Sequence, residues 1–303
     1  MLQGAMLVWF ILTGASIVFV VWDSVTNGVT SWVQRMAWIL VTLYTGPVGV
    51  FLYLLACRRP FPGGHSRYTA ATWKQGLNSE MHCLAGDATG IIVAASIVPV
   101  FGLVNGWDLA IEYSAGFISG LFIFQALMMV GMYNGNYFKA VRKTFFAETV
   151  SMNFVMTGMI PTMVILAASW PGADNPMNPE FWFRMSLASI IGGIVAFPIN
   201  FWLVKKQLKH GCMTLPGADG PAPGLGHQSP EHTGSAGAHR TVHESNEHEH
   251  DSYMHDTNMS EHEDGMAMHT LPLPTMLLWL SCTYLLLSGA AWMTAQWVPI
   301  RFS

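Results

Sequence analysis

The sequence predicts an all-α membrane protein, a polytopic bundle of about seven transmembrane helices. Three observations lead there. Only 11% of the 303 residues are charged, against roughly 25% in a soluble domain. Half the chain is apolar, at 51%. The charges are also segregated, leaving uncharged runs long enough for a hydrocarbon span of about 20 residues. A spanning segment must satisfy its own backbone hydrogen bonds, so these runs are helices. The alternating ten-residue segments of a β-barrel are absent.

The runs cover residues 3–22, 36–56, 84–104, 109–132, 149–169, 182–204 and 275–297. The first lacks a basic start and a small-residue cleavage site, so it reads as a retained helix and not a signal peptide. Pro161 and Pro198 interrupt the fifth and sixth, where each removes a backbone donor. Ser186, Ser189, Gly193, Ala196 and Asn200 form a small-residue stripe on the sixth, suited to close helix contact. Residues 211–270 break the pattern. Rich in Gly, Pro, Ser, His and Glu, they cannot bury enough apolar surface to fold alone and read as a disordered linker. Three segments follow: a six-helix body over 1–210, the linker over 211–270 and a C-terminal helix over 271–303.

Orientation comes from the loops. Arg58, Arg59, Arg67 and Lys74 follow the second span, Lys139, Arg142 and Lys143 the fourth, and Lys205, Lys206 and Lys209 the sixth. Alternate loops hold Asp108, Glu112, Asp174 and Glu180. The positive-inside rule predicts a bacterial inner-membrane protein with its N-terminus and linker cytoplasmic and its C-terminus outside. Arg35 alone argues the other way. The net charge of −4 and the lack of a basic stripe exclude nucleic acid as a partner. Cys57, Cys83, Cys212 and Cys282 have no CxxC spacing, so no zinc ribbon or thioredoxin-type site is implied.

Candidate metal ligands cluster in four places. Met152, Met156, Met159 and Met163 are spaced four, three and four, one helical stripe continuing from Glu148 for about 22 Å. Thioethers select soft ions such as copper, but methionine is also the flexible filler of packed interiors. Met128 and Met132 make an MxxxM pair on span four. That pattern resembles the conducting helix of trimeric copper-uptake channels. Span three opens EMHCLAGDATG, with His82 and Cys83 adjacent and Asp87 one turn on, at a depth where a carboxylate is expensive. KHGCM supplies His210 and Cys212 just past span six. Counting crossings puts Cys57, His82, Cys83, Asp87, Glu148, His210 and Cys212, with Met128, Met129 and Met132, at one membrane surface, a mouth of thiol, imidazole, thioether and carboxylate. The linker holds nine histidines, among them His243, His248, His250, His255, His262 and His269. Such tracts bind copper, zinc or nickel loosely. At the other surface, an ion pair between Glu112 and Arg184 is expected.

MHCLAGDATGI, FKAVRKTFFAETVSM and FPINFWLVKKQLKHGCM together resemble a bacterial and archaeal membrane family described as domain of unknown function 4396, over about residues 75–213. The resemblance implies a polytopic membrane protein and supplies no catalytic residues.

The residues thus predict a membrane protein that binds and transports a soft or transition-metal cation. The linker gathers ions, the mouth binds them and the Met stripe passes them on, with Asp87 and Glu148 as acids for proton coupling. No nucleotide motif is present, so transport is passive or coupled to an ion gradient. The alternative is a non-catalytic subunit, in a homo-oligomer or a larger membrane complex, in which methionine is filler. A haem or quinone enzyme fits worse, because only His82 lies near a span.

Overall fold

A computed structural model describes residues 2–27, 31–58, 68–211 and 271–300. The linker histidines His243, His248, His250, His255, His262 and His269 lie outside the described residues, as does Cys212. The described residues form helices and no strands. The helices are α1 (Leu2–Thr26), α2 (Trp32–Thr45), α3 (Pro47–Ala56), α4 (Thr72–Ile97), α5 (Asn105–Ile118), α6 (Ala126–Met129), α7 (Tyr137–Ser169), α8 (Pro179–Lys205) and α9 (Leu273–Ala295). A π-helical segment, Ser119–Gln125, joins α5 to α6, and one apolar span runs over Asn105–Tyr133. Among the described residues, six helices are long and apolar enough to cross a membrane.

The expected span 36–56 is not one of them. It folds back on itself as α2 and α3. Trp38 packs edge-on against Tyr53, with ring centroids 5.5 Å apart. Gln34 Nε2 lies 3.7 Å from Cys57 Sγ, whereas a straight helix would separate those residues by about 34 Å. The turn is Gly46–Pro47. Gly46 holds φ +57°, open mainly to glycine, and Pro47 offers no backbone donor to continue α2. A Cβ on Gly49 would stand 2.7 Å from Thr42 Cα, so the two arms touch backbone to backbone. The tip rests on Trp9 and Thr13 of α1. Irregular backbone at this depth survives because protein surrounds it. The predicted run was apolar and long enough; the dipeptide at its centre made it a re-entrant hairpin.

This changes the count of crossings, and with it the ends of the bundle. Asp23, at the end of α1 and fully buried, accepts hydrogen bonds from Tyr53 Oη (2.8 Å), Asn27 Nδ2 (2.9 Å) and Arg58 Nε (3.2 Å). The end of α1 and the end of α3 therefore share one level. Arg35 then falls at the same end as Arg58, Lys74, Lys139, Arg142, Lys143, Lys205 and Lys206, and it ceases to be an exception. The start of α1 lies at the other end: Trp9 packs on Phe183 at 5.9 Å, and Phe183 stacks on Trp170. Within the bundle, the start of α1 and the start of α8 are thus neighbours. Near the C-terminus, Pro299 O accepts from Asn105 Nδ2 at 2.9 Å, again at the acidic end.

Helices α4, α7 and α8 make the centre. In lipid, such contact is driven by close packing and hydrogen bonds and not by the hydrophobic effect. Glycine permits it: a Cβ on Gly158 would meet Gly192 Cα at 2.9 Å, between α7 and α8. The small-residue stripe of α8 faces inward, with Ser189, Ala196 and Asn200 wholly buried. Both Pro161 and Pro198 stay inside helices. The C-terminal helix α9 lies on the body: Asn153 Nδ2 donates to Thr283 Oγ1 at 3.0 Å, and Trp279 packs on Trp202 at 4.6 Å.

A labelling experiment checks the hairpin. Single cysteines placed at the exposed positions Asn27 and Lys139 should react with an impermeant maleimide from the same membrane face, above the background of native thiols. Reaction from opposite faces would restore a seven-span topology.

Candidate cation site

Spacing positions the site on each helix. On α4, Glu80, Cys83 and Asp87 sit at i, i+3 and i+7, one stripe of an otherwise uncharged stretch. On α7, Glu148, Ser151 and Met152 sit at i, i+3 and i+4. On α8 the inward stripe ends at Asn200. The chain then turns back on itself. Gln207 N–H bonds Val204 O and Leu208 N–H bonds Leu203 O, each at 2.9 Å, with Gln207 at φ +57°. This is a Schellman cap, completed by the buried pair Leu203 and Leu208. It sends Lys209 back into the bundle.

Lys209 Nζ donates to Cys83 Sγ at 2.6 Å and to Asn200 Oδ1 at 2.5 Å, and lies 3.9 Å from Glu148 Oε2. Cys83 Sγ donates to Glu148 Oε2 at 2.9 Å. Asn200 Nδ2 donates to Glu80 Oε2 and, at 2.8 Å, to Ser151 Oγ. Glu80, Asp87, Glu148, Ser151 and Asn200 are fully buried, and Lys209 is 3% exposed. Asp87 and Glu148 point over Gly120 in the π-helical segment, where a Cβ would meet Asp87 Oδ1 and stand 2.6 Å from Glu148 Oε1. Only glycine leaves that space, and π-turns recur at functional sites. Burial works to lower the pKa of the Lys209 ammonium, but its contacts with Cys83 and Glu148 prevail and hold it above the ordinary lysine value.

Three carboxyls face one ammonium in this network, so full ionisation leaves two negative charges uncompensated in a low-dielectric interior. That is costly unless protons or another cation enter. Acceptor capacity is unused as well: Glu80 Oε1, both Asp87 oxygens, Glu148 Oε1 and both nitrogens of buried His82 have no hydrogen-bond partner.

The structure thus brings together Cys83, Asp87 and Glu148 of the expected mouth. It sets them inside the bundle, about 16 Å along α7 from its start in the case of Glu148, and not at an open surface. His82 is buried beside them. His210 follows Lys209, and burial pushes its pKa below the ordinary imidazole value. Met152, Met156, Met159 and Met163 are at most 2% exposed and belong to the main apolar core with Leu84, Ile91 and Met185. Met128 belongs to a separate cluster with Val33, Met129 and Ala140, against which Met132 packs. Among the described residues, no three of the His, Cys, Asp and Glu side chains stand close enough together to hold a metal ion. At the acidic end, Arg184 Nη1 bonds Asp174 Oδ1 at 2.6 Å, in place of the expected ion pair with Glu112.

Glu80, Ser151, Asn200 and Lys209 escaped the sequence reading. Lys209 read as one more basic loop residue and Asn200 as a small packing residue. The signal available was the seven-residue stripe Glu80–Cys83–Asp87.

Residues 72–209, the segment that carries every member of this network, match the family described as Domain of unknown function (DUF4396). No curated protein and no solved structure matches the chain.

Asn200 ties three helices, so Asn200→Leu should strand Glu80 and Lys209. The expected loss is about 3 kcal/mol, since each buried polar partner left unmade costs 1–3 kcal/mol. Tryptophan fluorescence during thermal unfolding in detergent measures it, and an unchanged midpoint would contradict the network.

Proposed function

We propose that this membrane protein binds a soft or transition-metal cation at the Glu80–Cys83–Asp87–Glu148 cluster and carries it across the bilayer, with the Asp87–Glu148 pair exchanging protons for its charge. One observation carries the reading: a thiol and three carboxyls are buried together inside a membrane bundle, with more negative charge than the chain's own ammonium matches. Intramembrane acids are expensive to keep and mark ion or proton routes. A thiol beside carboxylates suits copper, zinc or nickel better than magnesium or calcium. By the positive-inside rule the basic end faces the cytoplasm. The site then lies toward the cytoplasmic end, and the start of α1 and the end of α9 face outside.

A second reading is a non-catalytic subunit of a larger membrane assembly. The observation in its favour is the Met stripe, which is buried in the main apolar core at 2% exposure or less.

Two experiments separate these readings. Metal content of full-length protein by inductively coupled plasma spectrometry, after loading with Cu(I), Zn(II) or Ni(II), should fall by one ion per chain in Cys83→Ser and in Glu148→Gln. Loss of no ion in either variant rejects the cation site. Replacing Met152, Met156 and Met159 together by Leu nearly conserves volume and should cost less than about 1.5 kcal/mol per site. If the stripe conducts, metal flux into proteoliposomes vanishes while binding at Cys83 persists; unchanged flux makes the stripe core packing.

A further inference from the structure

We infer that the incoming cation binds in the place that Lys209 Nζ fills, so that Lys209 is a tethered counter-cation which the substrate must displace. This rests on the cation-site reading above. The ammonium is held by a thiol from α4, an amide oxygen from α8 and a carboxylate from α7, at 2.6, 2.5 and 3.9 Å. Those three groups are a soft donor, a neutral oxygen and an anion converging on one point. The neighbouring acceptors Glu148 Oε1, Asp87 Oδ1 and Asp87 Oδ2 are buried and unpartnered, ready to complete a coordination shell. Departure of the ammonium would free Cys83 Sγ and Glu148 Oε2, which it now contacts, for an ion.

The tether is built to move. Lys209 lies four residues beyond the end of α8, past a cap whose left-handed residue is a glutamine and not the glycine that favours this conformation. His210 and Gly211 follow, with Gly211 packed against Gln75 of α4.

Charge bookkeeping selects the substrate class. A divalent ion enters with two positive charges. The ammonium leaves with one, and the Cys83 thiol gives up its proton as the metal–thiolate bond forms. The net charge of the buried cluster is unchanged, with no electron transferred. A borderline dication of the zinc type satisfies this balance and the thiol–carboxylate set. Monovalent copper leaves the cluster one negative charge worse.

The test uses full-length protein in detergent, zinc sulfate as the probe and N-hydroxysuccinimidyl acetate as an amine label, read by mass spectrometry. Without zinc, Lys209 should resist acetylation while the exposed Lys205 and Lys206 react. Saturating zinc should raise Lys209 labelling at least about tenfold relative to Lys205, the change expected when a minor exposed state becomes dominant. Lys209→Met should bind site zinc at least about tenfold more tightly, because no ammonium competes, whereas Lys209→Arg should not. Site zinc is the part lost on adding Cys83→Ser, which separates it from zinc on the linker. If site zinc binds while Lys209 stays protected, or if a folded Lys209→Met loses it, the displacement idea fails and the cation site stands. If no variant holds Cys83-dependent zinc, both fail. Should Lys209→Met not purify as a single species, labelling of the wild-type chain decides alone.

Discussion

Lys209 Nζ, lodged between Cys83 Sγ and Asn200 Oδ1, is the contact on which the interior depends. A buried ammonium is tolerable only where anions and lone pairs surround it, and α4, α7 and α8 each supply one. Removing any partner leaves a charge or an amide without a match in a medium that offers no water. The same constraint explains why the central helices approach so closely. Glycines at positions 120, 158 and 192 leave room for that approach.

Around that knot, further buried polar side chains pin one helix to another. Asp23 fixes the end of α1 to the returning arm of the hairpin through Tyr53 and Arg58. Asn153 joins Tyr113 of α5 to Thr283 of α9. These pins decide which ends of the helices are neighbours. They gather the basic residues, including Arg35, at one end and leave Asp108, Asp174 and Glu180 at the other. The charge asymmetry and the hydrogen-bond topology therefore agree once the hairpin is recognised.

The cluster combines two properties that pull apart energetically. It is closed, with every member at most 3% exposed, and it carries more acid than base. A closed site with unmatched charge is stable only with protons or an added cation inside it. That is the physical basis of the cation-carrier reading, and the methionine stripe adds nothing to it. Buried among Leu84, Ile91 and Met185, those thioethers have packing partners whether or not an ion passes.

The amino-acid sequence by itself determined the helical membrane class, because hydropathy and span length are local properties that lipid enforces one helix at a time. It also determined that Cys83, Asp87 and Glu148 share one end, since spacing within a helix and the parity of crossings suffice for that. The tertiary structure decided the rest. Whether residues 36–56 cross or return depends on how Gly46–Pro47 packs against α1, which no count of apolar residues reveals. That Lys209 points inward follows from a C-terminal cap closing one turn beyond α8, and that Asn200 is a hub follows from which helix its stripe faces. Loop lysines and small-stripe asparagines look alike along the chain; only the three-dimensional fold distinguishes the ones that meet a buried thiol from the ones that meet solvent or lipid.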